Sequence, residues 1–335
     1  MKKKVALLLV LAMVMLAFAA CGGGATDEAG AVKTGLAVIT SAAKSVDAGE
    51  KDGTVQADSL VVAVTVDDAG TIVKCAIDQA QTKIAFSKDG KIVTPLDTVF
   101  VAKKEMGADY GMAKVSTIGK EWNEQADAFA AYVTGKTVEE VKGIALNAEG
   151  VPTDADLTSS VTVHVSDFIA AIEKAVGNAQ EIGASADDTL GLGVVTSIAK
   201  SKDAAEEDGL AQAYSYYTAT TFNADGVITS SIIDASQTNI NFSMEGKITS
   251  DINAALQTKN ELGDAYGMKK ASAIGKEWNE QANAFAAYVV GKTVAEVKGI
   301  ALEEGTPAGD DLKSSVTVHV TDFLTILDKA FNTAK

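Results

Sequence analysis

Two histidines occur in the chain, His164 and His319, and both stand in the phrase SSVTVHV with an aspartate close behind. An imidazole beside Asp167 has the makings of a general base, but no serine, cysteine or threonine is patterned beside it as its nucleophile. One histidine without a second, a cysteine pair or H-E-x-x-H also lacks the ligands for zinc, so a strand histidine is the simpler reading. Asp67-Asp68 and Asp154 to Asp156 lack the glycine and glutamate spacing of a calcium loop and fit solvated turns. Neither G-x-G-x-x-G nor a Walker sequence is present, which argues against a nucleotide held by a phosphate loop. Cys75, inside the alternating run Thr71 to Asp78, suits a small buried apolar residue. The phrases DQAQT from Asp78 and DASQT from Asp234, expected at a strand end, either line a ligand site or satisfy turn backbone. Tyr110-Gly111-Met112 and Tyr266-Gly267-Met268 suit tight corners between helices. No catalytic set is complete, and an enzyme is not expected.

Every candidate appears twice because the chain is a duplication. STIGKEWNEQADAFAAYVTGKTVEEVKGIAL, Ser116 to Leu146, returns from Ser272 to Leu302 with few changes and no gap. Trp122, Ala126, Phe129, Ala130 and Val133 form one apolar helical stripe, repeated by Trp278, Ala282, Phe285, Ala286 and Val289. Gly135 and Gly291 end that helix, since glycine accepts a left-handed backbone without a Cβ penalty. Thr137 with Glu140, and Thr293 with Glu296, predict capping boxes for a short second helix. Trp122 and Trp278 could serve as stacking platforms for a ligand ring, but their spacing favours the core.

Each unit opens on a short apolar strand from Gly35 or Gly191. Leu60 to Val66, a turn at Asp67 to Gly70, and Thr71 to Ile77 predict a hairpin. A further pair, Lys83 to Ser87 and Lys91 to Val93, is split by Lys88-Asp89-Gly90. Helices follow, then a late strand through Val161, Val163 and Val165, and a closing helix from Phe168 to Val176 capped by Ser166 and Asp167. Strands followed by helices predict an α+β fold in two tandem homologous domains, each a mostly antiparallel sheet packed against helices.

At the start, three lysines, an apolar run from Val5 to Ala20 and small residues before Cys21 predict an export signal over residues 1–20. A glycine-rich tether follows over 21–34, then repeat domain 1 over 35–176, a linker over 177–190 and repeat domain 2 over 191–335. The linker is the expected first site of proteolysis, between domains able to fold independently. Net charge is −16 and arginine is absent, so nucleic acid is a poor partner. Beyond Cys21 only Cys75 remains, which excludes a disulfide between cysteines of the mature domains.

LAFAAC resembles the bacterial lipoprotein signal, which implies lipidation of Cys21, removal of the preceding residues and anchorage at the extracytoplasmic face of the cell membrane. DLTSSVT from Asp156 and DLKSSVT from Asp311, each followed by a helix, resemble the closing motif of FMN-binding domains in exported bacterial lipoproteins and membrane electron-transport subunits. The KEWNEQ block is similar to that of uncharacterised clostridial-type lipoproteins. By position the resemblance assigns cofactor contacts to Asp156, Ser159 and Thr162, and to Asp311, Ser314 and Thr317. It implies bound or covalently attached FMN, electron carriage, redox partners and a flavin transferase. Ser160 and Ser315 stand where that family has glycine, and Val161 and Val316 where it has alanine. The alternative is a structural or solute-binding surface lipoprotein that has lost the flavin.

Overall fold

The computed structural model describes residues 30–335; Cys21, the signal and most of the tether lie outside the described residues. The fold is α+β, with two three-stranded antiparallel sheets and helices. The first unit comprises β1 (Lys33–Ser41), β2 (Gly53–Val66), β3 (Ile72–Phe86), α1 (Lys103–Met106), α2 (Trp122–Val133), α3 (Val138–Lys142), α4 (Ala155–Thr158) and α5 (Ser166–Gly177). The second comprises β4 (Thr189–Ser197), β5 (Gly209–Phe222), β6 (Ile228–Phe242), α6 (Lys259–Leu262), α7 (Trp278–Val289), α8 (Val294–Lys298), the short pair β7 (Leu302–Glu303) and β8 (Thr306–Pro307), α9 (Asp310–Lys313) and α10 (Thr321–Thr333). In each sheet the strands lie in chain order.

The tryptophan helices match the stripe read from sequence, with all five apolar positions buried in each copy. Gly135 takes φ +81° and Gly111 φ +77°, the left-handed backbone expected of a helix stop and a corner. Both T-x-x-E capping boxes form. Three expectations fail. Val161 to Val165 is not a strand but an irregular segment leading into α5, its backbone tied by Thr162 N–H to Gln125 Oε1 and by Val165 N–H to Gly150 O instead of to a sheet. The closing helix starts at Ser166, with Val165 at its N-cap and no side-chain cap. Lys83 to Phe86 continues β3 instead of opening a second hairpin, and Lys91 to Val93 contributes only a bridge between Ile92 and Phe86.

Strand length has a tertiary reason. β2 is buried along almost its whole length, which requires cover on both faces. Leu60, Val62 and Val64 face the helices of their own unit. Val61 and Ala63 face the other sheet, with Leu36, Val38, Leu190, Leu192, Val194 and Tyr217. Farther along, Val55, Ile84 and Phe86 meet Ala211, Ile240 and Phe242, and the two phenylalanine rings stack at 4.5 Å. The layers therefore run helix, sheet, sheet, helix, with the two sheets forming a sandwich between the units.

The contacts across that sandwich are reciprocal. Ala48 N–H donates to Gly246 O and Ala204 N–H to Gly90 O, each at 2.8 Å. Ile92 N–H donates to Asp203, Ile248 N–H to Asp47, and Lys91–Asp203 and Lys247–Asp47 are ion pairs. Lys174 pairs with Glu261 as Lys329 does with Glu105. Such exchange of partners marks a two-fold, isologous interface, here built within one chain by duplication. Gly90 and Gly246 are required twice over: both have φ near +70°, and a Cβ on either would lie within 2.8 Å of the opposite unit.

The connector between the units is tied down. Val32 N–H donates to Ala184 O, Thr34 and Gln180 exchange backbone bonds, and Asp188 accepts from Thr229 Oγ1 and Ser185 N–H. Its composition suggested an open linker, but the free edge of β1 supplies the donors and acceptors that hold it.

On the outer face α10 lies closer to its sheet than a side chain permits. A Cβ on Gly193 would sit 1.9 Å from Ile326 O, and one on Gly191 1.9 Å from Ala330 O. Gly193→Val should force α10 outward and destabilise the fold by about 2 kcal/mol. The check is the urea midpoint, with an unchanged midpoint refuting the close contact.

Candidate functional site

The residues assigned by the flavin resemblance lie near one another, but their donors are already committed. Thr162 directs both its N–H and its hydroxyl to Gln125 Oε1, at 2.8 and 3.2 Å. Gln125 is fully buried and passes its own amide protons to Ser116 Oγ and Lys120 O. Thr317 repeats the arrangement on Gln281, whose amide donates to Ser272 Oγ and Lys276 O. The hydroxyls of Ser160 and Ser315, which replace glycine, donate to Leu157 O and Leu312 O at 3.1 Å. Ser159, Ser314 and Asp156 are exposed, and Asp311 accepts from Tyr288 OH at 2.7 Å. A phosphate needs free N–H and O–H donors. Here the threonine donors are spent on a buried amide, and Asp154 and Asp156 add negative charge beside them. These residues do not fit an FMN phosphate in this arrangement.

The histidines are placed for structure. His164 Nδ1 hydrogen-bonds the carbonyl of Glu149, and His319 packs by Gly305. Among the described residues no group of three or more His, Cys, Asp or Glu could hold a metal ion.

The aspartates of DQAQT and DASQT lie within long strands, not at strand ends. Asp78 Oδ1 accepts from the backbone of Gln79 and Lys104, and Asp234 Oδ1 from Ala235 and Asn260, so each fastens a short helix onto the sheet. Burial raises the pKa of both carboxyls, that of Asp234 to about 6. The neighbouring lysines, Lys103 and Lys259, are buried against aromatic faces. Lys259 Nζ lies 4.5, 4.3 and 4.9 Å from the ring centres of Tyr214, Tyr266 and Trp278, and Lys103 lies near Tyr110 and Trp122.

Burial pulls the Lys259 ammonium down to about 7, against the attraction of Asp234. A base held below its ordinary value of 10.5 binds fewer protons folded than unfolded between those two values. Stability should therefore rise with pH from about 7 toward 10.5, the penalty being complete below that window. Lys259→Met should remove this rise, measured as urea midpoints at successive pH values; a slope that persists in the variant assigns the effect to other groups.

Two crevices open where the units meet, and they are two-fold equivalents. The first runs between α2, β3 and the end of α10. It has a hollow of about 420 Å³ lined by Asp78, Lys104, Glu105, Asn123, Asp127 and Lys335, and an adjoining one of about 340 Å³ that reaches Cys75. The second runs between α7, β6 and the end of α5, with hollows of about 270 and 610 Å³ lined by Gln180, Asp234, Asn260, Glu261, Asn279 and Asn283. These volumes are in the range of small-molecule pockets. Asn123 and Asn279 are equivalent, and in each the Oδ1 atom is buried without a partner, as is Oδ1 of Asn260. Buried side-chain oxygens without a protein partner are uncommon in a folded chain.

The copies differ in what surrounds those oxygens. In the first crevice Lys104 pairs with Asp127 at 2.7 Å, and Lys335 pairs with the same carboxylate. At the equivalent positions the second has Asn260, Asn283 and Gln180, which cannot form ion pairs. Cys75 faces the first crevice, and desolvation pushes its thiol to about 12, so it stays protonated there.

No protein-family model matches the chain, and no solved structure matches it. A chlorophenol reductase of Desulfitobacterium hafniense is 60% identical over 42 residues, which is 12% of this chain and 13% of that protein. The chain thus spans about an eighth of the length of that curated relative, too little to carry over its activity. The sequence signals for the crevices were present but quiet. Asn123 and Asn279 sit inside the conspicuous KEWNEQ repeat, and the crevice walls show themselves only as the positions where the copies disagree in charge.

Proposed function

We propose that this chain is a lipid-anchored extracytoplasmic surface protein that binds a small solute in the crevices between its two units. The observation that carries it is the pair of equivalent crevices, each of pocket size and walled by polar side chains that include Asn123 in one and Asn279 in the other. Cys21 would carry the lipid, and acyl chains at about 0.8 kcal/mol per buried CH₂ would hold the fold at a membrane face. Among the described residues no helix is long and apolar enough to cross a membrane, which is compatible with a lipid anchor. Spent donors at Thr162 and Thr317 favour solute binding over flavin carriage.

The test uses the full chain purified from its membrane in mild detergent. Its thermal midpoint is measured against a panel of amino acids, amines, sugars, polyols and carboxylates, and its visible spectrum is recorded alongside. A saturable upward shift with at least one solute supports the reading. A flavin absorption band, or no shift with any solute, overturns it. Fatty-acid labelling that persists in Cys21→Ala would remove the anchor.

A further inference from the structure

Resting on that solute-binding reading, we infer that the second crevice is a site for an uncharged polyhydroxy ligand, a small saccharide or its alditol. Its larger hollow, about 610 Å³, is walled by one stripe of α7, where Asn279, Asn283, Ala287 and Val290 stand at i, i+4, i+8 and i+11, together with Gln180 and Ile182 of the connector and Ile232 of β6. Among the described residues none that lines it is ionisable, in a chain of net charge −16. The Ser231 hydroxyl is taken up by Thr218 and Thr220, and Asn260 Nδ2 by Ile233 O. The Oδ1 atoms of Asn260 and Asn279 are buried and take no part. What remains for a ligand is Asn279 Nδ2 and the whole side-chain amides of Asn283 and Gln180, which have no hydrogen-bond partner among the described residues.

A carboxamide sets an N–H donor beside a C=O acceptor, and two neighbouring hydroxyls present the complementary acceptor and donor. Ions of either sign fit worse. An ammonium has no acceptor to offer the amide donors and meets no unpaired carboxylate: Glu261, in the adjoining hollow, pairs with Lys174, and Asp234 Oδ1 accepts from the backbone of Ala235 and Asn260. A carboxylate ligand meets no unpaired cation, since Lys174 Nζ serves Glu261 and Val38 O. Ile182, Ile232, Ala287 and Val290 give the hollow an apolar side suited to the C–H face of a sugar ring.

The equivalent wall of the first crevice keeps the asparagine, as Asn123, but carries Asp127 and Lys335 where the second has Asn283 and Gln180, and those two side chains are ion-paired. An uncharged ligand seated there would take both charges out of water without replacing their hydration. Duplication has therefore produced two hollows of similar make whose walls differ in charge at the two positions a ligand's hydroxyls would meet, and the polyhydroxy ligand belongs to the uncharged one.

The experiment is isothermal titration of the full chain, in a detergent without a sugar headgroup, with neutral mono- and disaccharides and alditols. Each hexose is run beside its uronic acid and its amino sugar, which keep the shape and change the charge. At least one neutral sugar should bind about tenfold or more tighter than both charged counterparts. Asn279→Leu and Asn283→Leu should each weaken that sugar about tenfold, the loss of one hydrogen bond to a ligand group buried with it. A further variant guards against misfolding. The paired exchange Asn283→Asp with Gln180→Lys supplies the ion pair that the first crevice already tolerates, and should abolish sugar binding while cooperative melting persists. Equal or tighter binding of the uronic acid or the amino sugar, or unaltered affinity in the paired exchange, would sink the saccharide site. Binding of other solutes with no sugar among them would sink it as well but leave a solute-binding protein, and silence from the whole wider panel would sink both readings.

Discussion

Severed at Gly183, the chain is expected to yield two pieces that do not fold as monomers alone but form a folded one-to-one complex when mixed. The reason is where the apolar surface goes. Each unit has a core under its own helices, but the second face of each sheet is covered only by the other unit. Separation would expose Leu36, Val38, Val61, Ile84 and Phe86 on one side and Leu190, Leu192, Val194, Tyr217, Ile240 and Phe242 on the other. At about 1.5 kcal/mol or more for each large side chain returned to water, the loss rivals the ~5–15 kcal/mol that holds a whole domain folded. A lone unit has one further recourse, pairing with a second copy of itself across the same two-fold face. Sedimentation and far-ultraviolet circular dichroism of each piece, alone and mixed, decide the matter. A piece that sediments as a monomer and melts cooperatively at the intact midpoint would show that the shared core is dispensable. The connector belongs to the same argument: held along the edge of β1, it should resist brief proteolysis that an open linker would not.

Gln125→Leu is expected to cost about 3–4 kcal/mol, and Gln281→Leu about the same. Each glutamine is fully buried and joins the first residues of its helix to the segment before the closing helix. Leucine matches the volume but removes the acceptor for Thr162 N–H and hydroxyl and the donor to Ser116 and Lys120, leaving half-buried polar groups without partners. Thr162→Val should cost less, about 1 kcal/mol, because the backbone N–H bond to Gln125 survives. Denaturant melts of these variants check the order. Were the threonine change the costlier of the two, the threonine hydroxyl would have a role beyond bracing the glutamine.

These two results also show which features local sequence reveals. The tryptophan stripe, the T-x-x-E boxes and the glycine stops were legible because a helix writes its periodicity and its caps into neighbouring residues. Val161 to Val165 misled for the same reason. Its alternation is that of a strand, but Val161 and Val165 are buried in the core under the helices while the backbone bonds to Gln125 and Gly150 and not to a strand. The repeated threonine phrase was visible as a motif. Its meaning depended on a glutamine 37 residues earlier in the first copy and 36 in the second, a separation that no local pattern encodes.

From the residues alone came the duplication, the two helix–sheet cores and the α+β class, since each rests on patterns within a few turns or strands. The tertiary structure decided that the two sheets cover each other, that the connector is pinned, and that the polar residues differing between copies line equivalent crevices. Those outcomes depend on faces brought together across more than a hundred residues. The near-continuous burial of β2 and β5 tells that both faces are covered but cannot tell by what. Only docking one unit on the other brings Lys104, Asp127 and Lys335 together as an ionic triad in one crevice, and places Asn260, Asn283 and Gln180 along the other.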